Sequence, residues 1–253
     1  MKPILVIETL EKRFGEVAVL RGVSATVERG AITAFVGPNG AGKTTLFHAI
    51  TGDIRPDRGT AVFDGRPLAG MPPWKIARLG LGKMFQDVRI FKNLTIIENV
   101  LLALHDHPGR TLPASLLQAP FRGMLDMREK GRAEDCLAII GVEKPWNRPA
   151  GSLSFGNQKL LALARLVAGG FRLLLLDEPT AGLAPTMVER IGDLLRELVR
   201  EKGVSIALIE HNYSFVQVIA DQAYLLRAGE IMDAGEVSDV LGKAENREVL
   251  IGL

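Results

Sequence analysis

The stretch Gly37-Pro-Asn-Gly-Ala-Gly42-Lys43-Thr44 decides the fold of this chain. It directly follows an apolar run, residues 31–36, that predicts a buried β-strand, and a helical pattern begins near Gly42. A glycine-rich turn between a strand and a helix, closed by Gly-Lys-Thr, is the P-loop pattern. Glycine tolerates the positive φ angles that turn backbone N–H groups inward around phosphate oxygens. The stretch therefore predicts a nucleoside triphosphate site on an α/β fold.

The groups of this loop have expected partners on a nucleotide. Lys43 supplies a point charge for the β- and γ-phosphates, and the Thr44 hydroxyl is a ligand for Mg²⁺. The helix that begins near Gly42 adds its positive dipole end. The predicted nucleotide-binding residues of this segment are Gly37, Pro38, Asn39, Gly40, Ala41, Gly42, Lys43, Thr44 and Thr45.

A second apolar run, residues 173–176, ends in two carboxylates. Asp177 at the end of a buried strand is expected beside the P-loop, where it holds Mg²⁺ directly or through water. Glu178 is expected to polarise an attacking water as a general base. The alternative is a strand that simply ends in solvated acids.

The amino-acid composition excludes several classes of protein. The chain has 253 residues, of which 47% are hydrophobic and 24% charged, as in ordinary globular proteins. A single cysteine, Cys136, rules out an intrachain disulfide and favours a reducing compartment. The net charge of +2 does not favour a nucleic-acid partner. No apolar stretch approaches the roughly 20 residues of a membrane helix, and the N-terminal residues lack a signal-peptide pattern.

Apolar runs that alternate with helical patterns predict one α/β domain in two parts. A nucleotide-binding core with a β layer is expected from residues 1–86 and 153–253, and a helical subdomain from residues 87–152. Short strands broken by turn residues favour an antiparallel layer within residues 1–30 and 60–68.

Helix ends are also marked in the sequence. Thr95 and Glu98 form a capping-box pattern that opens a helix predicted over residues 96–104. A second helix is expected around residues 124–140. Pro185 and Gly203 bracket a helix between the apolar runs 173–176 and 204–209.

Between the P-loop and Asp177 stands Leu153-Ser154-Phe-Gly156-Asn157-Gln158-Lys159, which opens a further helix. With the P-loop and the run ending in Asp177-Glu178, this motif resembles the ATP-binding cassette (ABC) ATPases over nearly the whole chain. The resemblance implies a P-loop NTPase (RecA-like) α/β core with an N-terminal antiparallel β subdomain and an inserted α-helical subdomain. Residues 84–99 and 177–183 look most similar to the ATPases of branched-chain amino-acid importers. Related ATPases serve urea and amide import or lipopolysaccharide export.

The resemblance also assigns roles to single residues. Phe14 falls where the family stacks an aromatic ring on adenine, although a core phenylalanine is the alternative. Gln86 matches a glutamine that links Mg²⁺ and the attacking water to the transport machinery, and His211 a histidine near the γ-phosphate. Ser154, a good N-cap, is expected with Gly156 and Asn157 at the γ-phosphate of ATP held by a second subunit.

Two motifs depart from the family pattern. Phe155-Gly156-Asn157 stands where Gly-Gly-Gln is usual, and the loop of residues 181–184 ends in Ala184 where many members carry aspartate. Both changes concern the contacts expected across a dimer.

The function implied is that of an ATPase that dimerises with a second ATPase subunit around ATP and Mg²⁺ at the cytoplasmic face of a membrane. Its further partners are transmembrane permease subunits and, indirectly, a solute-binding protein. The expected permease surface contains apolar residues that would otherwise form the core of the insertion, namely Val88, Ile90, Phe91 and Leu94. Two other functions stay open: a soluble, non-transport ABC ATPase and an ATP-binding regulator that does not hydrolyse.

Three further residue patterns have simpler interpretations. The pair His105 and His107 is expected in a solvated loop, because no other histidine or cysteine is close in sequence. Cys136 is expected to pack in a helix core, and Trp74 to pack at a helix start.

Overall fold

The computed structural model describes residues 2–104 and 127–251, and its α/β architecture confirms the predicted fold class. The chain forms two compact units, one from Met1–Gln86 with Phe171–Leu253 and the other from Asp87–Gly170. The second unit thus continues beyond the predicted boundary at residue 152. His105 and His107 lie outside the described residues.

The regular elements follow the predicted alternation of strands and helices. The strands are β1 (Pro3–Phe14), β2 (Val17–Glu28), β3 (Ile32–Val36), β4 (Arg58–Phe63), β5 (Arg66–Pro67), β6 (Leu81–Met84), β7 (Leu173–Asp177), β8 (Ser205–Ile209), β9 (Gln222–Arg227) and β10 (Glu230–Glu236). The helices are α1 (Lys43–Ile50), α2 (Pro73–Arg78), α3 (Ile96–Leu101), α4 (Met127–Ile140), α5 (Phe155–Ala168), α6 (Pro185–Lys202), α7 (Tyr213–Ile219), α8 (Val237–Gly242) and α9 (Ala244–Ile251).

Two sheets form the first unit. The antiparallel sheet has the order β2-β1-β4-β5, as predicted for the N-terminal region. The second sheet has the order β10-β9-β3-β8-β7-β6, and its strands are parallel except for β10. Every residue of β3, β7 and β8 is buried, which explains their continuous apolar runs.

The register of the second sheet positions the site. Ile209, the last residue of β8, pairs with Phe35 of β3 on one side and with Asp177 of β7 on the other. The carboxyl ends of these three strands therefore meet at one edge of the sheet, which is where open α/β sheets bind ligands.

Aromatic rings fix the core beneath this edge. The ring of Phe35 lies 5.3 Å from that of Tyr224 in a stacked arrangement and 5.9 Å from that of Phe47 in an edge arrangement. The backbone N–H of Thr26 in β2 donates to the Tyr224 hydroxyl at 2.9 Å, which joins the two sheets. Burial of one such aromatic side chain stabilises the fold by about 1.5–3 kcal/mol.

The second unit is helical in its described part. Thr95 caps α3, since its hydroxyl accepts from the Glu98 N–H while its own N–H donates to the Glu98 carboxylate, which confirms the capping box. Helix α3 ends at Leu101, three residues before the predicted end. Cys136 is buried, as predicted, and its thiol donates to the Ala164 carbonyl at 3.1 Å.

Trp74 lies at the start of α2, as predicted, but it is largely exposed there. Its side chain is 55% exposed because α2 has only six residues and buries Ile76 alone. The charged groups of Lys75 and Arg78 lie 5.3 and 5.1 Å from the Trp74 ring.

Within residues 2–104 and 127–251, the helices are too short or too polar to cross a membrane.

Candidate nucleotide site

The P-loop connects β3 to α1 at the carboxyl edge of the parallel sheet. A Cβ atom on Gly37 would lie 2.1 Å from the Leu226 carbonyl oxygen, so only glycine fits this position. Gly42, which caps α1, has φ of 102°, and a Cβ atom there would lie 2.8 Å from the Val19 carbonyl oxygen. Gly37 and Gly42 are therefore required by close backbone approach as well as by φ.

Lys43 lies within the curve of the loop. Its side chain is 5% exposed, and its Nζ donates to the carbonyls of Gly37 at 2.7 Å and Pro38 at 2.9 Å. Burial lowers the pKa of Lys43, although the nearby carboxylates of Glu178 and Asp177 act in the opposite direction. The loop thus holds a cationic donor at its centre, where phosphate oxygens are expected.

Asp177 presents a buried carboxylate to the loop. Only 3% of its surface is exposed, and Thr44 donates a side-chain hydrogen bond to it. Its Oδ1 atom is buried and accepts no hydrogen bond from the described residues. Burial, and then the charge of Glu178, raise the pKa of Asp177. The bare oxygen beside a hydroxyl is a hard-oxygen donor set that fits Mg²⁺.

A magnesium site of this kind does not need a cluster of several carboxylates. Within the described part of the chain, no three His, Cys, Asp or Glu side chains are grouped to hold a metal. Mg²⁺ in triphosphate sites needs only one or two protein ligands, because phosphates and water complete its shell. Thr44 and Asp177 therefore supply as many protein ligands as Mg²⁺ needs in such a site.

Glu178 lies between two polar side chains. Its Oε2 accepts from Gln86 Nε2 at 2.9 Å, and its Oε1 lies 3.3 Å from His211 Nε2. Gln86 follows β6 and His211 follows β8, so the two neighbours reach Glu178 from opposite sides of β7. The predicted residues Gln86, Glu178 and His211 therefore form one contiguous group.

A further residue of this region was missed as a functional candidate. Glu210 is 2% exposed, and its carboxylate accepts hydrogen bonds from residues on two loops. The sequence signal was an acid directly after the apolar run of β8 and directly before His211. A charged residue at the end of a fully buried strand is uncommon unless its charge is satisfied.

Phe14 is an exposed ring at the end of β1. Half of its surface is accessible, which excludes the core alternative. Lys12 Nζ lies 5.5 Å from the ring centroid. The ring face is thus available for stacking on a flat ligand such as adenine.

Ser154, Gly156 and Asn157 lie at the start of α5 in the second unit. Ser154 caps the helix as predicted, since its hydroxyl accepts from the Asn157 N–H. The Asn157 side chain donates to Ser154 Oγ at 3.1 Å and accepts from the Glu143 N–H at 3.4 Å. Asn157 therefore stabilises the cap itself, while Ser154 and Phe155 remain exposed.

A parallel sheet with a P-loop, a buried strand-end aspartate and an adjacent glutamate defines a P-loop nucleoside triphosphatase. A family model described as ABC transporter matches residues 20–181. The chain is 37% identical over 228 residues to the high-affinity branched-chain amino acid transport ATP-binding protein BraF of Pseudomonas aeruginosa, covering 90% of this chain and 89% of that protein. LivG of Escherichia coli, named for the same transport, is 36% identical over 228 residues with the same shares covered.

Solved structures agree with this fold. The ADP conformation of MJ1267, an ATP-binding cassette of an ABC transporter, matches with a TM-score of 0.85 and 30% identity over the full length of both chains. CbiO1 from Clostridium perfringens, part of the transporter complex CbiONQ, matches with a TM-score of 0.80 and 28% identity, covering 100% of this chain and 96% of that one. The chain belongs to the ABC transporter family, as an ATP-binding ATPase subunit.

Proposed function

We propose that this chain hydrolyses ATP at the group formed by Gln86, Glu178 and His211, and that hydrolysis drives the import of branched-chain amino acids. The single observation that carries the proposal is the position of Glu178. Its carboxylate lies beside Gln86 and His211, and its charge acts on both Lys43 of the P-loop and Asp177. A carboxylate so placed is suited to accept a proton from a water that attacks the γ-phosphate.

The residues divide the work by chemical type. The P-loop N–H groups and Lys43 bind and orient the β- and γ-phosphates, and Phe14 stacks on adenine. Thr44, Asp177 and, through water, Gln86 would hold Mg²⁺, which neutralises charge on the phosphate oxygens when it is bound. His211 donates to the γ-phosphate, where negative charge develops in the transition state. Electrostatic positioning supplies the rate, because no covalent intermediate is needed.

We infer a dimer in which α5 completes the site of a second ATPase subunit. Ser154 and Gly156 lie at a helix N-terminus, where backbone N–H groups and the helix dipole favour an anion. Ser154 is an exposed residue, so it is accessible to the γ-phosphate of ATP held by another subunit. ATP bound in this way joins the two subunits until it is cleaved.

The second unit also carries a surface suited to a permease subunit. Phe91 is 50% exposed, and the Arg165 guanidinium lies 5.0 Å from its ring centroid. Arg165 donates to the Arg89 carbonyl, yet its Nε is buried without a hydrogen-bond partner in the described residues. Burial lowers the pKa of Arg165. An exposed aromatic ring on this surface favours a short permease helix that carries an apolar side chain.

Docking there places the chain at the cytoplasmic face of the membrane as a peripheral subunit. The transported solute is selected by the permease and by a solute-binding protein, and branched-chain amino acids are supported by the names of BraF and LivG. No nucleic-acid partner is proposed.

The test is transport by the assembled complex. The tagged chain is purified with its membrane partners, and the complex is reconstituted in vesicles with candidate solute-binding proteins. Leucine, isoleucine or valine is expected to stimulate phosphate release and to accumulate in the vesicles, whereas Glu178→Gln abolishes both. If hydrolysis occurs but urea, amides or other solutes stimulate it and branched-chain amino acids do not, the ATPase assignment stands and the solute assignment fails.

A further inference from the structure

We propose that Glu210 is a positioning residue that holds Glu178 and His211 at the separation that hydrolysis requires. This inference rests on the proposed roles of those two residues in ATP hydrolysis. Glu210 itself is 2% exposed and reaches the site only through its neighbours.

The first oxygen of Glu210 holds the loop that follows β7. Oε1 accepts from the Thr180 backbone N–H at 2.8 Å and from the Thr180 hydroxyl at 2.6 Å. Thr180 lies two residues after Glu178 and is 5% exposed. The carboxylate thus fixes the backbone immediately after the proposed general base.

The second oxygen holds the loop that follows β8. Oε2 accepts from the His211 N–H at 3.2 Å and from the Asn212 N–H at 3.4 Å. Asn212 in turn caps α7, because its side chain accepts from the Phe215 N–H at 3.1 Å. The position of the His211 backbone is therefore tied to the same carboxylate that fixes Thr180.

The carboxylate of Glu210 is surrounded by hydrogen-bond donors. Four N–H or O–H groups point at the two carboxylate oxygens, and none of the described ion pairs involves Glu210. A carboxylate can accept hydrogen bonds at both of its oxygens, whereas a side-chain amide offers only one accepting oxygen. In Glu210→Gln one loop therefore meets an NH₂ group where it needs an acceptor.

The first measurement needs no nucleotide. Amide hydrogen exchange is followed at Thr180, His211 and Asn212 in the full chain, for wild type and Glu210→Gln. Loss of charge-assisted hydrogen bonds is expected to speed exchange by about tenfold or more at the amides that face the new NH₂ group. Unchanged exchange at all three amides would show that the carboxylate does not hold the loops.

The second measurement separates positioning from binding. With ATP and Mg²⁺, Glu210→Gln is expected to lower kcat by about tenfold or more while KM and nucleotide affinity stay within about twofold, because geometric displacement acts on the transition state. A kcat within twofold of wild type overturns the inference, and so does an equal loss of kcat and nucleotide affinity. If wild type itself releases no phosphate, the proposed function fails and the exchange result still decides whether Glu210 holds the loops.

Thr180 supplies matched variants in case Glu210→Gln does not fold. Thr180→Val removes one hydroxyl and keeps the backbone N–H, so a smaller fall in kcat, about threefold to tenfold, is expected from the loss of one hydrogen bond. Thr180→Ser keeps the hydroxyl and is expected to turn over ATP at the wild-type rate. Equal kcat values for the valine and serine variants would overturn a role for this contact.

Discussion

The Nε2 atom of His211 lies 3.3 Å from the Oε1 atom of Glu178. The two residues follow neighbouring parallel strands, β8 and β7, whose last residues Ile209 and Asp177 are paired. The Glu178 N–H also donates to the Ile209 carbonyl at 2.9 Å. Imidazole and carboxylate are thus brought together by the sheet before any nucleotide is considered.

The first prediction concerns His211. His211→Ala is expected to keep ATP affinity and to lose most hydrolysis, because a donor to the γ-phosphate is needed chiefly in the transition state. His211→Gln keeps a neutral donor and is expected to retain more turnover. Nucleotide titration and phosphate release measure the two effects, and turnover near wild type for His211→Ala would remove this residue from the reaction.

The second prediction concerns Lys43. Lys43→Ala is expected to weaken ATP binding on the order of ten- to a hundredfold, since one charge-assisted contact contributes about 1.5–3 kcal/mol. Isothermal titration with Mg²⁺ and ATP measures the change. Lys202→Ala, at the exposed end of α6, is the matched control and should bind as wild type does. Equal affinities for the two variants would contradict the assignment of Lys43.

The third prediction concerns Glu178 and the dimer. Glu178→Gln is expected to bind ATP and to accumulate as a dimer. Its rate of hydrolysis is expected to fall by a factor of about 10²–10⁴, because the general base is removed. Light scattering with Mg²⁺ and ATP measures the dimer, and Glu178→Gln/Ser154→Arg is the matched control that should remain monomeric. A monomeric Glu178→Gln points to a different partner ATPase, and a double variant that dimerises equally well excludes α5 from the interface.

The fourth prediction concerns the charge of Asp177. The pKa of Asp177 is raised, so its carboxyl group binds a proton more tightly in the folded protein than in the unfolded chain. The stability from this group is therefore present at low pH and is lost as pH rises through the raised pKa. Asp177→Asn is expected to raise Tm at pH 7.5 in the absence of nucleotide, with a gain that shrinks as pH falls toward 4.

Thermal unfolding over this pH range measures the effect of Asp177→Asn. Asp193→Asn is the control for replacing an aspartate by asparagine, since the side chain of Asp193 is 77% exposed. A gain in Tm for Asp177→Asn that grows toward acid would reverse the inferred sign.

Local structure was predictable where one short pattern decides it. The P-loop turn, the capping box of Thr95 and Glu98, the Ser154 cap and the αL cap at Gly203 all depend on residues close in sequence. The predicted end of α3 was wrong, and Trp74 lies at a helix start as predicted but packs less than expected, because both features depend on how much surface a short helix can bury.

Spatial grouping was less predictable from the residues alone. Gln86, Glu178 and His211 are far apart in sequence, and the order β8-β7-β6 brings them together. Their association was anticipated only through resemblance to the ABC ATPases. The role of Glu210 was missed because its partner Thr180 lies on another loop, 30 residues away. The acid after the apolar run of β8 indicated a candidate, but the sequence does not say whether its carboxylate contacts another loop or solvent.

The left-handed backbone at Glu178, with φ of 49°, limits which replacements are informative there. Side chains branched at Cβ are strained at positive φ, so valine, isoleucine or threonine at this position would distort the turn as well as remove the acid. Glutamine has the same branching as glutamate and leaves the turn unchanged. For engineering, this means that a catalytically silent cassette is best made with the amide, and that a randomised library at residue 178 will confuse misfolding with lost chemistry.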